Sequence, residues 1–394
     1  MTFEREKIYG QLYSYCEARE FAGFDPFDGL NSRVFKASPL KHIALARLVW
    51  LQLLKRSPVE LRPTLLVEPE VNPKGLALFA LAELSRFRAT GDKFHAVNAK
   101  SLLDRLQQKK IAGTTNSGQP TASFGYNFDW QSRSFYAPEG TPAIVPTAFA
   151  SKAFIEAYEL LGDESYLGVA DDICMFILND LNRSQESDDE VCFSYTPTDR
   201  SVIYNANLLA GESLARMGAI NGNGEYLDLA AKTVRFVVRR QRSNGSWVYG
   251  ANDKQAWVDN FHTAYVLLSL FRISSNIEEL RSETFEAIGR GSAYWLDNFF
   301  LEDGTPKYYD QETYPIDIHS AAVAISALSE LSAIDVRMLP MARKTAQWTV
   351  ENMRDPEGFF FYQKRKNRTI KTPFMRWGQA WMAFALARLI ESDI

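Results

Sequence analysis

Apolar residues recur along most of this chain at three- and four-residue intervals, the period of a helix that buries one face. Short polar openings interrupt them regularly. Pro146-Thr147-Ala148-Phe149, Tyr204-Asn205-Ala206-Asn207, Asn260-Phe261-His262-Thr263, Asp317-Ile318-His319-Ser320 and Arg376-Trp377-Gly378-Gln379 start 58, 56, 57 and 59 residues apart, and less regular members begin near Pro39 and Pro73. A repeat of this length marks a stacked supersecondary unit. Each unit reads as a first helix, a Gly-Asp or Gly-Asn turn, a second helix, and an aromatic hairpin. Gly91-Asp92, Gly162-Asp163 and Gly222-Asn223 suit such turns, because Gly ends one helix and Asp or Asn caps the next.

The first helices are rich in small residues, as at Ala148, Ala150, Ala153 and Ala157 or Ala321, Ala322, Ala324 and Ala327. Small side chains let helices approach closely, which suits a ring buried on nearly all sides. The second helices, near 164–182 and 224–241, carry more charge and suit an outer ring. The pattern predicts an all-α fold, an α/α toroid of six or seven helical hairpins with short aromatic β-hairpin loops at one rim. One domain spans 1–394, with regular repeats over 61–394. Residues 1–60 contribute helices without an assigned partner, one of which is free to pair with 376–391 and shut the ring.

Composition narrows the class. The chain has 394 residues, 46% hydrophobic and 23% charged, with a formal net charge of −4. That is an ordinary globular balance with no broad basic field for nucleic acid. A local basic stretch at Lys364, Arg365, Lys366, Arg368, Lys371 and Arg376 reads as a solvated loop. Cys16, Cys174 and Cys192 are far apart and read as reduced thiols. No apolar run reaches the ~20 residues that span a bilayer, so no membrane insertion is expected, and the charged N-terminus predicts a cytoplasmic protein.

The connectors that enter the first helices hold the candidate chemistry. They are crowded with aromatics, carboxylates, Asn and His around 23–31, 124–130, 193–195, 245–249, 308–314 and 358–362. Inner helices of a toroid run parallel, so these connectors share the rim where free N–H groups gather. Aromatic platforms with clustered polar groups suit a carbohydrate, and an oligo- or polysaccharide is the expected partner. His262 and His319 occupy equivalent repeat positions beside Asp259 and Asp317, an arrangement for general acid–base catalysis, whereas His42 and His95 lie in ordinary helical settings. Tyr265 is a proton donor candidate. Asp28, Asp129, Glu139, Asp259 and Asp317 offer alternative acid–base pairs for a glycosidase, though such residues also serve as caps and turns.

Candidate substrate contacts are Asp28, Tyr126, Trp130, Tyr204, Asn205, Asn207, Trp247, Tyr249, Asn260, Arg376 and Trp377. Arg376 opens a helix and suits bidentate capture of a carboxylate. Asp259, His262, Asp317 and His319 form a mixed set that would suit zinc or manganese, yet HExxH, CxxC and EF-hand spacings are missing, and no metal or other cofactor is expected. Walker, GxGxxG, GxSxG and kinase motifs are also missing, which argues against nucleotide, dinucleotide and serine-hydrolase chemistry.

These residues resemble the six-hairpin glycosidase-like superfamily, which includes unsaturated glucuronyl hydrolases, toroidal polysaccharide lyases and glucuronyl C5-epimerase domains. The phrases FDPFDGLNS, DNFHTAY, PIDIHS and RWGQAWMAFALA are similar to those of proteins encoded with exopolysaccharide and cell-surface glycan assembly enzymes. The resemblance implies proton abstraction at C5 of a uronate-bearing glycan by His262 or His319, with Arg376 and Asn260 on the carboxylate. In toroidal lyases an Asn neutralises the uronate while His or Tyr moves the proton, and Asn260, His262 and Tyr265 match that trio in type but not in spacing. A two-carboxylate glycosidase and a non-catalytic glycan-binding protein are the alternatives. Gln241-Arg242-Ser243-Asn244-Gly245-Ser246-Trp247 also resembles the QxxxGxW motif of triterpene cyclases, but it occurs once and without a DxDD acid motif.

Overall fold

The structure, a computed structural model, describes residues 2–132 and 136–393. The chain opens with α1 (Thr2–Glu17), a short α2 (Arg33–Ala37) and α3 (Ala44–Arg56). Helical hairpins follow: α4 (Pro73–Thr90) with α5 (Lys93–Gln107), α6 (Ile144–Leu161) with α7 (Glu164–Asn179), and α8 (Tyr204–Asn221) with α9 (Gly224–Val238). Then come α10 (Asn260–Asn276) with α11 (Arg281–Phe299), α12 (Ile318–Leu331) with α13 (Met338–Met353), and finally α14 (Trp381–Glu391).

The even-numbered helices from α4 to α14 pack each against the next, and α14 returns to α4, so six inner helices close the ring. α1 lies outside α14, where an outer helix would stand. Its Tyr9 hydroxyl reaches Glu83 of α4, and Arg86 of α4 donates to both oxygens of Glu6 at 2.7 Å. The inner helices are buried along nearly their whole length, as their alanine-rich composition requires, and the outer helices bury one face.

Local turn chemistry sets the hairpins. Gly91, Gly162 and Gly222 have φ of 69°, 71° and 73°, a left-handed conformation that glycine adopts without a Cβ penalty. Asp92, Asp163 and Asn223 then cap α5, α7 and α9 by accepting from backbone N–H groups. Pro39 opens only a 3-10 turn over Pro39–His42, so the repeat begins at Pro73 instead.

A repeated backbone staple holds the rim. The first amide of each inner helix from α6 to α12 donates to an aromatic residue in the following connector: Ile144 to Tyr195, Tyr204 to Tyr249, Asn260 to Tyr308, and Ile318 to Tyr362. Met375, before α14, donates to Phe24 and carries the pattern across the junction between chain ends. Each staple satisfies one orphan N–H and fixes its connector at the same rim. The connectors form less strand than expected. Paired strands occur at β1 (Ile111–Thr114) with β2 (Pro120–Ser123), β3 (Trp130–Gln131) with β4 (Tyr136–Ala137), and β5 (Arg183–Glu186) with β6 (Val191–Phe193). A three-stranded sheet joins β7 (Ile316–Asp317), β8 (Gln363–Arg365) and β9 (Arg368–Ile370). Residues 245–250 and 308–314 contribute only single bridges, Ile203 to Gly250 and Asp259 to Tyr309.

Candidate active site

The N-terminal ends of α4, α10 and α12 and the turn that leads into α14 bring Lys74, His262, Tyr265, His319 and Arg376 to the stapled rim. On α10, Asp259 caps the helix by accepting from the His262 amide at 3.0 Å, and its second oxygen takes the His262 Nδ1 proton at 2.6 Å. Trp257 Nε1 donates to that same oxygen at 2.9 Å. The carboxylate thereby fixes the imidazole tautomer, leaving a lone pair on Nε2, which carries no hydrogen bond among the described residues. The His262 side chain is 20% exposed. Tyr249 lies over the ring with centroids 4.3 Å apart, itself stacked on Trp257.

One turn further along α10, Tyr265 points to the centre of the ring. Its hydroxyl lies 3.3 Å from His319 Nε2, and Lys74 Nζ lies 3.5 Å from the same hydroxyl. His319 Nδ1 donates to the Trp377 carbonyl at 3.1 Å, so Nε2 is an acceptor for the Tyr265 proton. The His319 ring stacks on Trp377 at 3.9 Å. Burial, followed by the charges of Lys74 and Arg376, pushes the His319 pKa well below the usual range and keeps the ring neutral. Burial also raises the Tyr265 hydroxyl well above its ordinary value.

Lys74 is 3% exposed, and its ammonium faces the rings of Phe149, Trp381 and Tyr265 at 4.3, 5.3 and 5.6 Å. Burial and the nearby Arg376 lower its pKa well below that of a free lysine. Arg376 is held by Asp25 through two bonds, Nε to Oδ2 at 2.6 Å and Nη2 to Oδ1 at 2.8 Å. Tyr126 and Tyr195 share a hydrogen bond of 3.1 Å, and the Arg376 guanidinium faces the Tyr126 ring at 5.2 Å. Trp130 adjoins both tyrosines, 5.5 Å from Tyr195 and 6.2 Å from Tyr126.

Several expected site residues serve other ends. Asp317 caps α12 and accepts from Trp377 Nε1 and Gln363 Nε2, so both its oxygens are engaged by the scaffold, and burial raises its pKa. Asn260 donates to the Lys307 carbonyl and accepts from Trp295 Nε1. Asn207 ties β6 to α8 through Phe193 and Val191. Both amides are therefore spent on the scaffold rather than on a substrate. Arg376 is buried against Asp25 and is neither a solvated loop residue nor a free carboxylate clamp. Asp28 is buried beside Arg62 at 2.5 Å and also accepts from the Asp25 amide, while burial pushes its pKa up towards about 7.

Asp129 lies with Lys36, Lys41, His42, Arg47 and Tyr136 in a separate surface groove, and accepts from the Glu139 amide. Tyr204 is buried edge-on to Phe236, and Trp247 is buried with its Nε1 donating to the Val237 carbonyl. Asn205 does reach the site. Its buried Oδ1 has no partner among the described residues, and it lines a small cavity of about 10 Å³ with His262, Asp259 and Tyr249. That is about the room one water needs. Among the described residues no group of three or more His, Cys, Asp or Glu is placed to hold a metal ion.

Sequence reasoning missed Lys74 and the role of Asp25. Aligning the helix caps Asn72 and Asp317 exposes the first: Lys74 and His319 both stand two residues past a cap. The connector that carries Asp25 also crosses the mouth of the site. Phe27 lies edge-on to Trp377 at 5.4 Å, and Lys55 of α3 places its ammonium 4.3 Å from the Phe27 ring. Desolvation lowers the Lys55 pKa to about 8. His319, Tyr265 and Lys74 are all buried.

The architecture is an α/α toroid of six inner helices. No family model matches the chain, and no curated protein matches it in sequence. Solved structures do match in fold. The cellobiose 2-epimerase of Bacillus thermoamylovorans superposes with a TM-score of 0.63 at 10% identity, over 83% of this chain and 90% of the epimerase. A polysaccharide lyase gives 0.62 at 9% identity, over 99% of this chain and 97% of the lyase. An unsaturated glucuronyl hydrolase specific for heparin gives 0.58 at 16% identity, over 83% and 88%. These neighbours are an epimerase, a lyase and a hydrolase of saccharides.

Proposed function

We propose that this chain is a carbohydrate-active enzyme that moves a proton at a sugar carbon, most simply C5 of a uronate-bearing glycan, in an epimerase- or lyase-type reaction. The carrying observation is the pairing of the Asp259–His262 dyad with the Tyr265–His319 pair on one rim. His262 Nε2 is the base: the ring is partly exposed, Nε2 carries no hydrogen bond among the described residues, and Asp259 stabilises the imidazolium that forms. Tyr265 is the acid on the second side, with His319 Nε2 positioned to exchange its proton. Lys74, rather than Arg376 or Asn260, is the cation for the substrate carboxylate, because Asp25 already neutralises Arg376. An anion beside Lys74 favours its charged form and stabilises enolate-like charge developing at the adjacent carbon.

The two-carboxylate glycosidase has less support, since Asp259 and Asp317 are caps with both oxygens engaged by neighbouring side chains and backbone, and Asp129 lies in another groove. The fold neighbours include epimerases, a lyase and an isomerase, which makes proton-transfer chemistry a fitting use of this scaffold. The test is incubation with acidic and neutral oligosaccharides in deuterated water, followed by mass and proton spectra. Deuterium at C5 or a new unsaturated uronate, lost in His262→Gln, supports the proposal. Cleavage without label, or labelling unchanged in His262→Gln and His319→Gln alike, overturns it.

A further inference from the structure

Residues 33–59 contain six Lys or Arg and no Asp or Glu, in a chain whose overall balance is acidic. They build α2, the 3-10 turn Pro39–His42, and α3 on the outside of the rim. α3 is apolar on two faces. Leu51 and Leu54 turn inward and are buried. Leu45, Val49 and Leu53, at four-residue spacing, turn outward and are 69%, 50% and 63% exposed. Ile43 and Leu61 extend the patch, and nine of the seventeen exposed large hydrophobic side chains among the described residues fall between Val34 and Leu66. A groove of about 790 Å³ continues it, with Val49, Leu53, Leu61, Leu65 and Arg368 in its wall. Apolar surface concentrated in this way marks an interaction site.

Cations border the apolar stripe at both ends. Lys41 and His42 are exposed just before Ile43. At the other end, Arg368 donates to the Arg56 carbonyl at 3.4 Å and brings the β8–β9 hairpin alongside. That hairpin carries Lys364, Arg365, Lys366 and Arg368, and no acidic residue occurs from Gly358 to Ile390. The nearby acids are engaged: Glu60 with Arg62, Glu68 with Arg33, and Asp129 with Lys36. Lys55 turns towards Phe27 and the site instead.

We infer that this face docks on a lipid bilayer bearing anionic headgroups. α3 would lie in the interface with Leu45, Val49 and Leu53 at the acyl boundary, and Lys41, Arg56, Lys366 and Arg368 among the headgroups. A second copy of the chain fits the charge poorly, because it would set basic borders against basic borders. α3 has 13 residues, so it lies on a bilayer rather than crossing it. The inference stands independently of the proposed chemistry.

Vesicle co-sedimentation tests it, comparing phosphatidylcholine alone with phosphatidylcholine containing phosphatidylglycerol, at low and high salt. The full chain should bind the anionic vesicles and lose affinity at high salt. Leu45→Ser/Val49→Ser/Leu53→Ser changes exposed positions only; it should keep its melting temperature and bind about tenfold or more weakly. Arg56→Gln/Arg368→Gln should lose the preference for anionic over neutral vesicles. Absence of binding by the full chain, or undiminished binding by the triple variant, overturns the inference. So does a dimer in sedimentation equilibrium that the triple variant abolishes, which would assign the face to a second copy.

Discussion

Asp25 and Arg376, 351 residues apart in sequence, form a buried bidentate ion pair that ties the first connector to the entry of the last inner helix. Both side chains are at most 5% exposed. Removing either partner leaves an uncompensated charge out of water. Arg376→Met should cost about 3–5 kcal/mol of stability, and Asp25→Asn a similar amount. The double variant should lose less than the sum, because neither charge is then stranded. Urea denaturation of all four chains measures this; strictly additive losses would show that the pair is not coupled.

The two histidines should fail differently. His262→Gln removes a partly exposed base and should lower kcat by about 10²–10⁴-fold with little change in melting temperature. His319→Gln disturbs a buried ring stacked on Trp377, so stability should fall along with turnover. Tyr265→Phe deletes the hydroxyl that joins His319 to Lys74 but keeps the ring packed against Phe149 and Trp381. Its expected signature is a large kcat loss in a protein destabilised by only about 1 kcal/mol.

Lys74 should set the preference for an acidic substrate. Lys74→Met places an apolar chain of similar length among Phe149, Tyr265 and Trp381, so folding should be neutral or improved. KM for a uronate-bearing glycan should rise about tenfold or more, and that for a neutral analogue should not. Because the lysine pKa is lowered in the empty site, binding of the carboxylate should take up a proton. Calorimetry in buffers of different ionisation enthalpy measures that uptake directly.

The ring was legible in the sequence because its determinants are local. Alanine-rich helices, Gly turns and Asp caps each act within a few residues of themselves, and their 56- to 59-residue recurrence gave the unit. The site was less legible for the opposite reason. An Asp before a helix reads equally as cap and as catalyst, and only the distant Trp377 and Gln363 reveal that both oxygens of Asp317 are engaged. Asn260 looked free until Trp295 and Lys307 claimed its amide. Arg376 matched a carboxylate clamp by chemistry alone, and its partner, Asp25, lies at the other end of the chain.

The end of the ring opposite the histidines is held by charge, which makes its stability depend on acid. Arg272 joins Glu212 at 3.0 Å and Glu330 at 2.6 Å, Arg388 adds to Glu330, and Glu156 sits among Lys152, Arg88 and Arg216. Burial alone would raise the Glu156 pKa, but Lys152, Arg216, Arg88 and Arg388 outweigh it and lower the value from 4.5 to about 2. A carboxylate with a depressed folded pKa contributes stability that is full above its unfolded value and fades as pH falls through the folded one. Glu156 should therefore contribute on the order of 3 kcal/mol at neutral pH, lost progressively between about pH 4.5 and 2. Glu156→Gln should be less stable than the parent at pH 7, and the gap should narrow as acid is added. Urea midpoints across that range would check it, and a gap independent of pH would mean that Glu156 acts through packing rather than charge.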